Sequence, residues 1–301
     1  MEQQTQGRRA IARARRRAAL GRGWRQFRRH RAGMVGLGVL IFFALVALLA
    51  PVLFPPETIS VTRATGELMA PPSVGYWLGT DDSGRSMTAL LAWGARVSLT
   101  VGIAATLISM LIGTSVGVAS GHYRGWGGAA LERLTDWFLV IPFLPLAIVL
   151  ATVLGGGSIL TIIVVIGVTS WAGTARLIRA QTLAVEGRPY LERSRALGSG
   201  NWHQMTRHVL PNVFPLVLAN TTLTVAIAIL SETTLSFLGL GDPLRPSWGS
   251  TLDAAFSNGA VSAGAWWYIG PPGLCVVLVV LSFTMIGRAL EQIVNPRLGS
   301  G

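Results

Sequence analysis

The 301-residue sequence contains no lysine, since all 25 of its Lys/Arg positions are arginine. A Walker A phosphate-binding loop needs a lysine, and Schiff-base catalysis needs a lysine amine. The absence therefore excludes both chemistries from this chain. If the protein takes part in an uphill process, the energy must come from another subunit.

Cysteine and histidine are scarce as well. Cys275 is the only cysteine, so a disulfide within the chain is impossible. Its place in an apolar run is typical of a small buried hydrophobic residue. The four histidines show no metal-ligand spacing such as HExxH. We predict no metal site, no cofactor bound by this chain and no catalytic residue.

Charged residues are few: they make up 13% of the chain, whereas 51% of residues are hydrophobic and the mean hydropathy is +0.53. A soluble domain carries roughly 25% charged residues, and about 20 apolar residues span a bilayer. The sequence therefore predicts an all-α integral membrane protein. Six apolar runs are candidate transmembrane helices: 33–54, 97–120, 134–154, 159–177, 209–237 and 268–287.

The distribution of arginine predicts the orientation. With the N-terminus inside, the cytoplasmic segments hold eleven arginines up to Arg31, two after the second span, six after the fourth and two after the sixth, which is 21 of the 25. The positive-inside rule then places both termini in the cytoplasm. The first span is longer than the 7–15-residue core of a cleaved signal peptide. We interpret residues 1–32 as a basic tail that faces anionic lipid rather than nucleic acid.

Two predicted external segments, 55–96 and 239–267, are too long to be simple turns. The first separates the span 33–54 from a core of five transmembrane helices at 97–298, and it contains the polar run 79–85. The second ends at Trp266 and Trp267, which with Tyr268 are typical of an aromatic belt at the membrane surface.

Ionisable residues within a span indicate function by default. Glu232 lies near the outer end of the fifth span. It either faces a translocation path or accepts bonds from neighbouring hydroxyl groups and holds two spans together. Arg133 and Asp136 share a helix face at the start of the third span and predict a local ion pair.

Proline or glycine residues within three of the spans predict the shape and the packing of those helices. Pro142 and Pro145 free backbone carbonyl groups, which suits either a pore lining or a shaped helix. Pro215 is expected to break the fifth span. In the second span, four glycines predict close helix packing: Gly102, Gly113, Gly117 and Gly121.

A polar hairpin, residues 188–211, lies between the fourth and fifth spans. Pro189 suits the first turn of a helix, residues 190–197 predict two helical turns, and Gly198 suits a left-handed cap that ends them. Asn201 with Gln204 predicts a capping box for a second helix. Pro211 marks the start of the next apolar run.

The hairpin sequence also carries a family resemblance. The hairpin resembles the EAA motif of ABC-transporter permeases in three places: Glu192-Arg193-Ser194, Gly198 and the closing Val209-Leu210-Pro211. Other stretches resemble the dipeptide/oligopeptide permease family in its second-permease subtype: Leu78–Arg85, Gly94–Leu99, Glu232–Gly241, Pro246–Gly249 and Asn295–Leu298. The resemblance covers about residues 75–298.

This resemblance implies a type I ABC importer-like fold, in which a cytoplasmic coupling helix between spans four and five docks on an ATPase subunit. The residues that it assigns to ATPase coupling are Tyr190, Leu191, Glu192, Arg193, Ser194, Ala196, Leu197, Gly198 and Pro211. Candidates for the translocation path or gate are Glu232, Pro142, Pro145 and Trp248.

The resemblance also implies partners: a sister permease, one or two ABC ATPase subunits that bind ATP and Mg, and an external substrate-binding protein that delivers di- or oligopeptides. The location that it implies is the bacterial cytoplasmic membrane. Segments 55–96 and 239–267 are then the candidates for gating and for contact with the binding protein.

The sequence leaves several alternatives open. Arg193 stands where the family has a small residue, and it either points to lipid headgroups or meets an acidic patch on the ATPase. The same family includes importers of nickel or another small solute. A stand-alone secondary transporter or channel would need no docking helix. An intramembrane hydrolase would need a serine with a nearby base inside the bilayer, whereas His203 and His208 fall in the predicted cytoplasmic hairpin.

Overall fold

The computed structural model describes Gly21 and residues 23–294, so most of the basic tail and the motif at 295–298 lie outside the described residues. The described part is helical, with one isolated bridge between Thr80 and Ser86. From Arg31 onward its α-helices are α1 (Arg31–Leu53), α2 (Met87–His122), α3 (Trp126–Val140), α4 (Phe143–Val153), α5 (Ile159–Thr169), α6 (Trp171–Glu186), α7 (Pro189–Ala196), α8 (Asn201–Gln204), α9 (Leu210–Leu235), α10 (Trp248–Ser257) and α11 (Trp266–Val294).

Five helical stretches in the described residues are long and apolar enough to cross a membrane: 31–53, 87–122, 159–186, 201–240 and 266–293. Helices α3 and α4 pass the same test together, although they are bent by 91°. If this bent pair counts as one span, the predicted number of six is confirmed. Helix α2 begins well before the predicted start of its span, and its first turns pack against residues of the two segments predicted to be external.

Helix α2 is the central element and packs against α1, α5, α6 and α9. Its glycines allow this, as predicted. A Cβ atom at Gly117 would lie 2.7 Å from the carbonyl oxygen of Ala175 on α6, and one at Gly113 would lie 2.8 Å from that of Trp171. Glycine every four residues therefore lets the two helix backbones approach closely.

The third predicted span is not one helix. Ile141 has an extended backbone (φ −73°, ψ 125°) between α3 and α4, and Pro142 is the N-cap of α4. A residue before proline is disfavoured in the α region, so α3 ends there. Pro145 lies in the first turn of α4, where a missing N–H removes no intrahelical bond.

The break predicted at Pro215 is wrong, because Pro215 lies inside the uninterrupted helix α9. Residues 201–240 in fact form one helical stretch with π-helical segments at Met205–Val209 and Ser236–Leu240, and its regular helix ends at Gly239, which is left-handed (φ +78°). The first π turn directly precedes Pro211. Such a wider turn accommodates the backbone groups that a proline leaves without partners, so Pro211 does not separate the hairpin from the span.

The close approach of α2 and α6 predicts the effect of Gly117→Ala. The new methyl group would contact the Ala175 carbonyl oxygen and push the helices apart, at a cost of about 1–3 kcal/mol. We expect a lower melting temperature for the detergent-solubilised protein, measured by fluorescence-detected size exclusion after heating.

Gly38→Ala is the matched control, because Gly38 is also helical but an added methyl group there would have no neighbouring atom within 4 Å. Alanine favours a helix over glycine by roughly 1 kcal/mol, so this variant should be unchanged or slightly more stable. Equal melting temperatures for the two variants would contradict close packing at Gly117.

Candidate functional site

The polar hairpin contains the predicted short helix. Pro189 occupies the first position of α7, as expected, and Gly198 adopts the left-handed conformation with φ +80°. The amide of Gly198 donates to the carbonyl of Arg195 (2.9 Å), and that of Ser199 donates to the carbonyl of Ser194 (3.1 Å). This pair of bonds is the Schellman arrangement, which ends a helix sharply.

One side chain anchors α7 to the rest of the protein. Leu191 is fully buried, in a cluster with Val185, Met205 and Val209. Most other side chains of the hairpin face outward, and two of them are large and apolar: Leu197 is 88% exposed and Trp202 is 76% exposed. The predicted coupling residues Glu192, Arg193, Ala196 and Gly198 are exposed as well, Tyr190 is 37% exposed, and Ser194 is half-buried.

A buried carboxylate holds the hairpin in place. Glu186, at the end of α6, accepts a bond from Nδ1 of His122 on α2 (2.6 Å) and another from the guanidinium of Arg195 on α7. Nδ1 is the donor, because a carboxylate only accepts. Burying a charge is costly unless it is paired, and Glu186 is 5% exposed with two donors.

The bonds of Arg195 continue into the second arm. Its Nε donates to Oε1 of Gln204 (3.1 Å), and Nε2 of Gln204 donates to the carbonyl of Ser199 (2.7 Å). The predicted capping box is therefore wrong: Gly200 is the N-cap of α8, and the Gln204 side chain reaches Arg195 instead of the cap. The two arms of the hairpin are joined to each other and, through Glu186, to α2 and α6.

Sequence reasoning missed this cluster. His122 and Glu186 are 64 residues apart, and no spacing motif relates them. In the sequence, Arg195 looks like one of several surface arginines. The available signal is a single acid, Glu186, at the end of an apolar run and next to the arginine-rich hairpin.

A second pair of contacts fastens α3 to α6. Glu132 pairs with Arg179 (2.7 Å), and Asp136 pairs with Arg176 (2.8 Å). The local pair predicted between Arg133 and Asp136 is wrong, because Asp136 turns to the neighbouring helix rather than along its own.

Two candidates for the translocation path are buried within this chain. Glu232 is 1% exposed, and its carboxylate accepts bonds from the hydroxyl groups of Ser98 on α2 and Ser236, both at 2.8 Å. Trp248 is fully buried, and its Nε1 donates to the carbonyl of Leu91 (3.1 Å). These contacts match the interpretation of Glu232 as a link between spans. Pro142 and Pro145 are exposed at the bend, and a role in the path stays a prediction for all four.

The outer polar run forms a braced turn. Asp81 accepts bonds from the backbone amide of Arg85 (2.7 Å) and from its Nε (2.6 Å). Asp82 accepts bonds from the hydroxyl of Tyr268 (2.5 Å) and from Nδ2 of Asn258 (2.9 Å). The first external segment is thereby tied to α11 and to the loop before it.

The contact between Tyr268 and Asp82 corrects the prediction of an aromatic belt at residues 266–268. Tyr268 is fully buried beneath the outer segment, so the belt prediction is wrong for it. Trp267 donates from Nε1 to the carbonyl of Thr80 (3.3 Å). Trp266 is 63% exposed, as a residue of such a belt would be.

No group of three or more His, Cys, Asp or Glu side chains that could hold a metal ion occurs in the described part of the chain. The candidate site is the hairpin itself. It is a positively charged projection, braced by the bonds of Arg195 and Gln204, that offers exposed side chains for contact with another protein.

Comparison with known proteins agrees with this geometry. Residues 113–300 match the family model described as the inner membrane component of binding-protein-dependent transport systems, and residues 19–72 match that of the N-terminal transmembrane domain of oligopeptide transport permease C. The chain therefore belongs to the family of inner-membrane components of binding-protein-dependent transport systems. It is a multi-pass membrane permease.

Similar proteins include the dipeptide transport system permease protein DppC of Bacillus subtilis, which is 33% identical over 91% of this chain and 85% of its own length. The glutathione transport system permease protein GsiD of Pectobacterium atrosepticum is 33% identical over 92% and 91%. The oligopeptide transport system permease protein OppC of Bacillus subtilis is 33% identical over 91% and 88%.

The cluster around Glu186 predicts the effect of Arg195→Gln. This variant leaves a buried carboxylate with one fewer charged donor, at a cost of about 1–3 kcal/mol. We expect faster hydrogen exchange of the backbone amides of residues 188–204, measured by mass spectrometry. Arg207→Gln, at an exposed position of the same hairpin, is the control and should not change the exchange. If the backbone amides of residues 188–204 exchange at the same rate in both variants, the bond between Arg195 and Glu186 does not hold the hairpin in place.

Proposed function

We propose that this chain is one of two non-identical transmembrane subunits of a bacterial ABC importer for short peptides. The observation that supports the proposal most directly is the braced hairpin, which joins without a break to a membrane-spanning helix. A surface that is rigid and exposed on one side can be pushed by an ATPase as a unit, and the helix carries that motion into the membrane.

The partners follow from the same proposal. A sister permease completes the path, one or two ATPase subunits bind ATP and Mg, and an external binding protein delivers the peptide. The chain itself has no lysine for a nucleotide-binding loop. The arginine distribution favours a cytoplasmic location for the hairpin and both termini, where ATP is available.

Leu197 and Trp202 are the best candidates for the centre of the contact with the ATPase. A few large side chains, with tryptophan prominent among them, dominate the binding energy of most interfaces. Their neighbours Tyr190 and Glu192 would surround them. Arg193 would add an ionic contact at the edge.

Leu197→Asp is therefore expected to release the ATPase. We predict that the amount of ATPase co-purifying with the tagged permease complex falls by about tenfold or more. The control is Val74→Asp, which changes an equally exposed valine (96% exposed) on the first external segment and should leave ATPase recovery intact. An ATPase retained by Leu197→Asp would contradict docking at the hairpin.

Arg193→Glu tests whether Arg193 meets an acidic patch on the ATPase. Reversal of a charge at the edge of an interface introduces repulsion. We expect assembly to survive while ATP hydrolysis continues with reduced peptide uptake, measured in parallel in proteoliposomes. Arg188→Glu, another exposed arginine of the hairpin, is the control. If uptake and hydrolysis stay coupled in Arg193→Glu, the side chain faces headgroups instead.

A further inference from the structure

The predicted external segments contain four arginines, of which two are paired with a carboxylate and two are not. Arg63 pairs with Glu57 (3.6 Å), and Arg85 pairs with Asp81 (2.6 Å). Arg96 and Arg245 are exposed. Neither has a carboxylate within 4 Å among the residues that the structure describes.

Arg96 and Arg245 line the same cavity although they are far apart in sequence. The cavity has a volume of about 530 Å³ and lies between the outer part of α2, the start of α5 and the second external segment. Its lining also includes Trp93, Val97 and Thr100, and no acidic side chain contributes to it. The volume is in the range of small-molecule sites, roughly 300–1,000 Å³.

Local contacts keep both guanidinium groups available. The guanidinium carbon of Arg96 lies 5.7 Å from the centre of the Trp93 ring, a distance at which a cation is attracted to the ring face. The indole N–H of Trp93 donates a hydrogen bond to the carbonyl of Phe54 (3.0 Å). Asp242, the acid closest in sequence to Arg245, accepts a bond from the backbone amide of Leu244 (2.9 Å) instead.

We propose that this cavity binds the terminal carboxylate of a peptide at the outer end of the path. Two guanidinium groups offer paired donors that match the two oxygens of a carboxylate. The hydroxyl of Thr100 and the apolar walls suit the adjoining peptide group and side chain. This inference rests on the proposed function, since it assumes that the chain carries peptides.

The test uses the complete transporter in proteoliposomes with its binding protein. Leu244, which lines the cavity and is 85% exposed, is replaced by the photoreactive amino acid p-benzoylphenylalanine, and a radiolabelled dipeptide with a free carboxylate is the probe. We expect light-dependent labelling of this chain by the dipeptide. In the background Arg96→Gln with Arg245→Gln, the labelling should fall about tenfold, as loss of charge-assisted bonds predicts.

Two further backgrounds control for damage to the fold. Arg63→Gln removes an arginine that already has a partner and should leave the labelling unchanged. Arg96→Lys with Arg245→Lys keeps both charges but removes the paired donors, so its labelling should lie between that of the unaltered protein and that of the glutamine pair. If both the glutamine and the lysine pairs lose labelling equally, charge is not the cause and the inference fails.

Other outcomes separate this inference from the proposed function. Attachment of the photoreactive group to phospholipid in place of the dipeptide would identify the cavity as a headgroup site and overturn the inference. Unchanged labelling in the glutamine pair would also overturn it. Uptake of the dipeptide without the photoreactive residue is measured in parallel: its absence would refute the peptide importer, whereas uptake without labelling refutes the carboxylate site alone.

Discussion

The buried carboxylate of Glu186 is the contact on which the half of this protein that carries the hairpin depends. It lies where α2, α6 and α7 meet, and each of these helices either carries it or donates to it. Because a buried charge with unsatisfied acceptors is strongly unfavourable, the three helices are held in one arrangement. The short helix α7, which has only Leu191 as a buried apolar anchor, owes its orientation to this carboxylate.

The opposite half repeats the principle with a different acid. Glu232 accepts hydroxyl bonds, one of which links α9 to α2 at the end far from the hairpin, whereas His122 and Glu186 link α2 to the hairpin itself. Between Gln204 and Glu232 the helical stretch runs about 40 Å from one level to the other. The second arm of the hairpin and the Glu232 contact therefore lie on one continuous helix, whose far end is again tied to α2.

The apolar spans, the glycine face of α2 and the limits of α7 could be predicted from the sequence, because each depends on residues close together along the chain. Pro189 and Gly198 have local effects that no distant contact reverses. Proline within long apolar runs is harder to interpret. Pro142 ends a helix while Pro215 does not, and the difference depends on packing around each residue rather than on its identity.

Contacts between distant residues could not be predicted from one sequence. Asp82 and Tyr268 are 186 positions apart, and an aromatic residue beside a span resembles a membrane-surface anchor unless the partner of its hydroxyl is known. The helix-face rule pairs Asp136 with Arg133 on its own helix, although Arg176 on α6 is the actual partner. Such a rule states which residues can meet, but tertiary packing decides which of them do.

The 91° bend between α3 and α4 has a consequence for what surrounds this subunit. A helix interrupted at Ile141 and Pro142 leaves peptide groups without intrahelical partners, and hydrocarbon chains offer neither donors nor acceptors to replace them. Wherever the bend lies within the hydrocarbon layer, protein or water must cover it. This break in the backbone therefore marks a face that lipid chains alone cannot solvate.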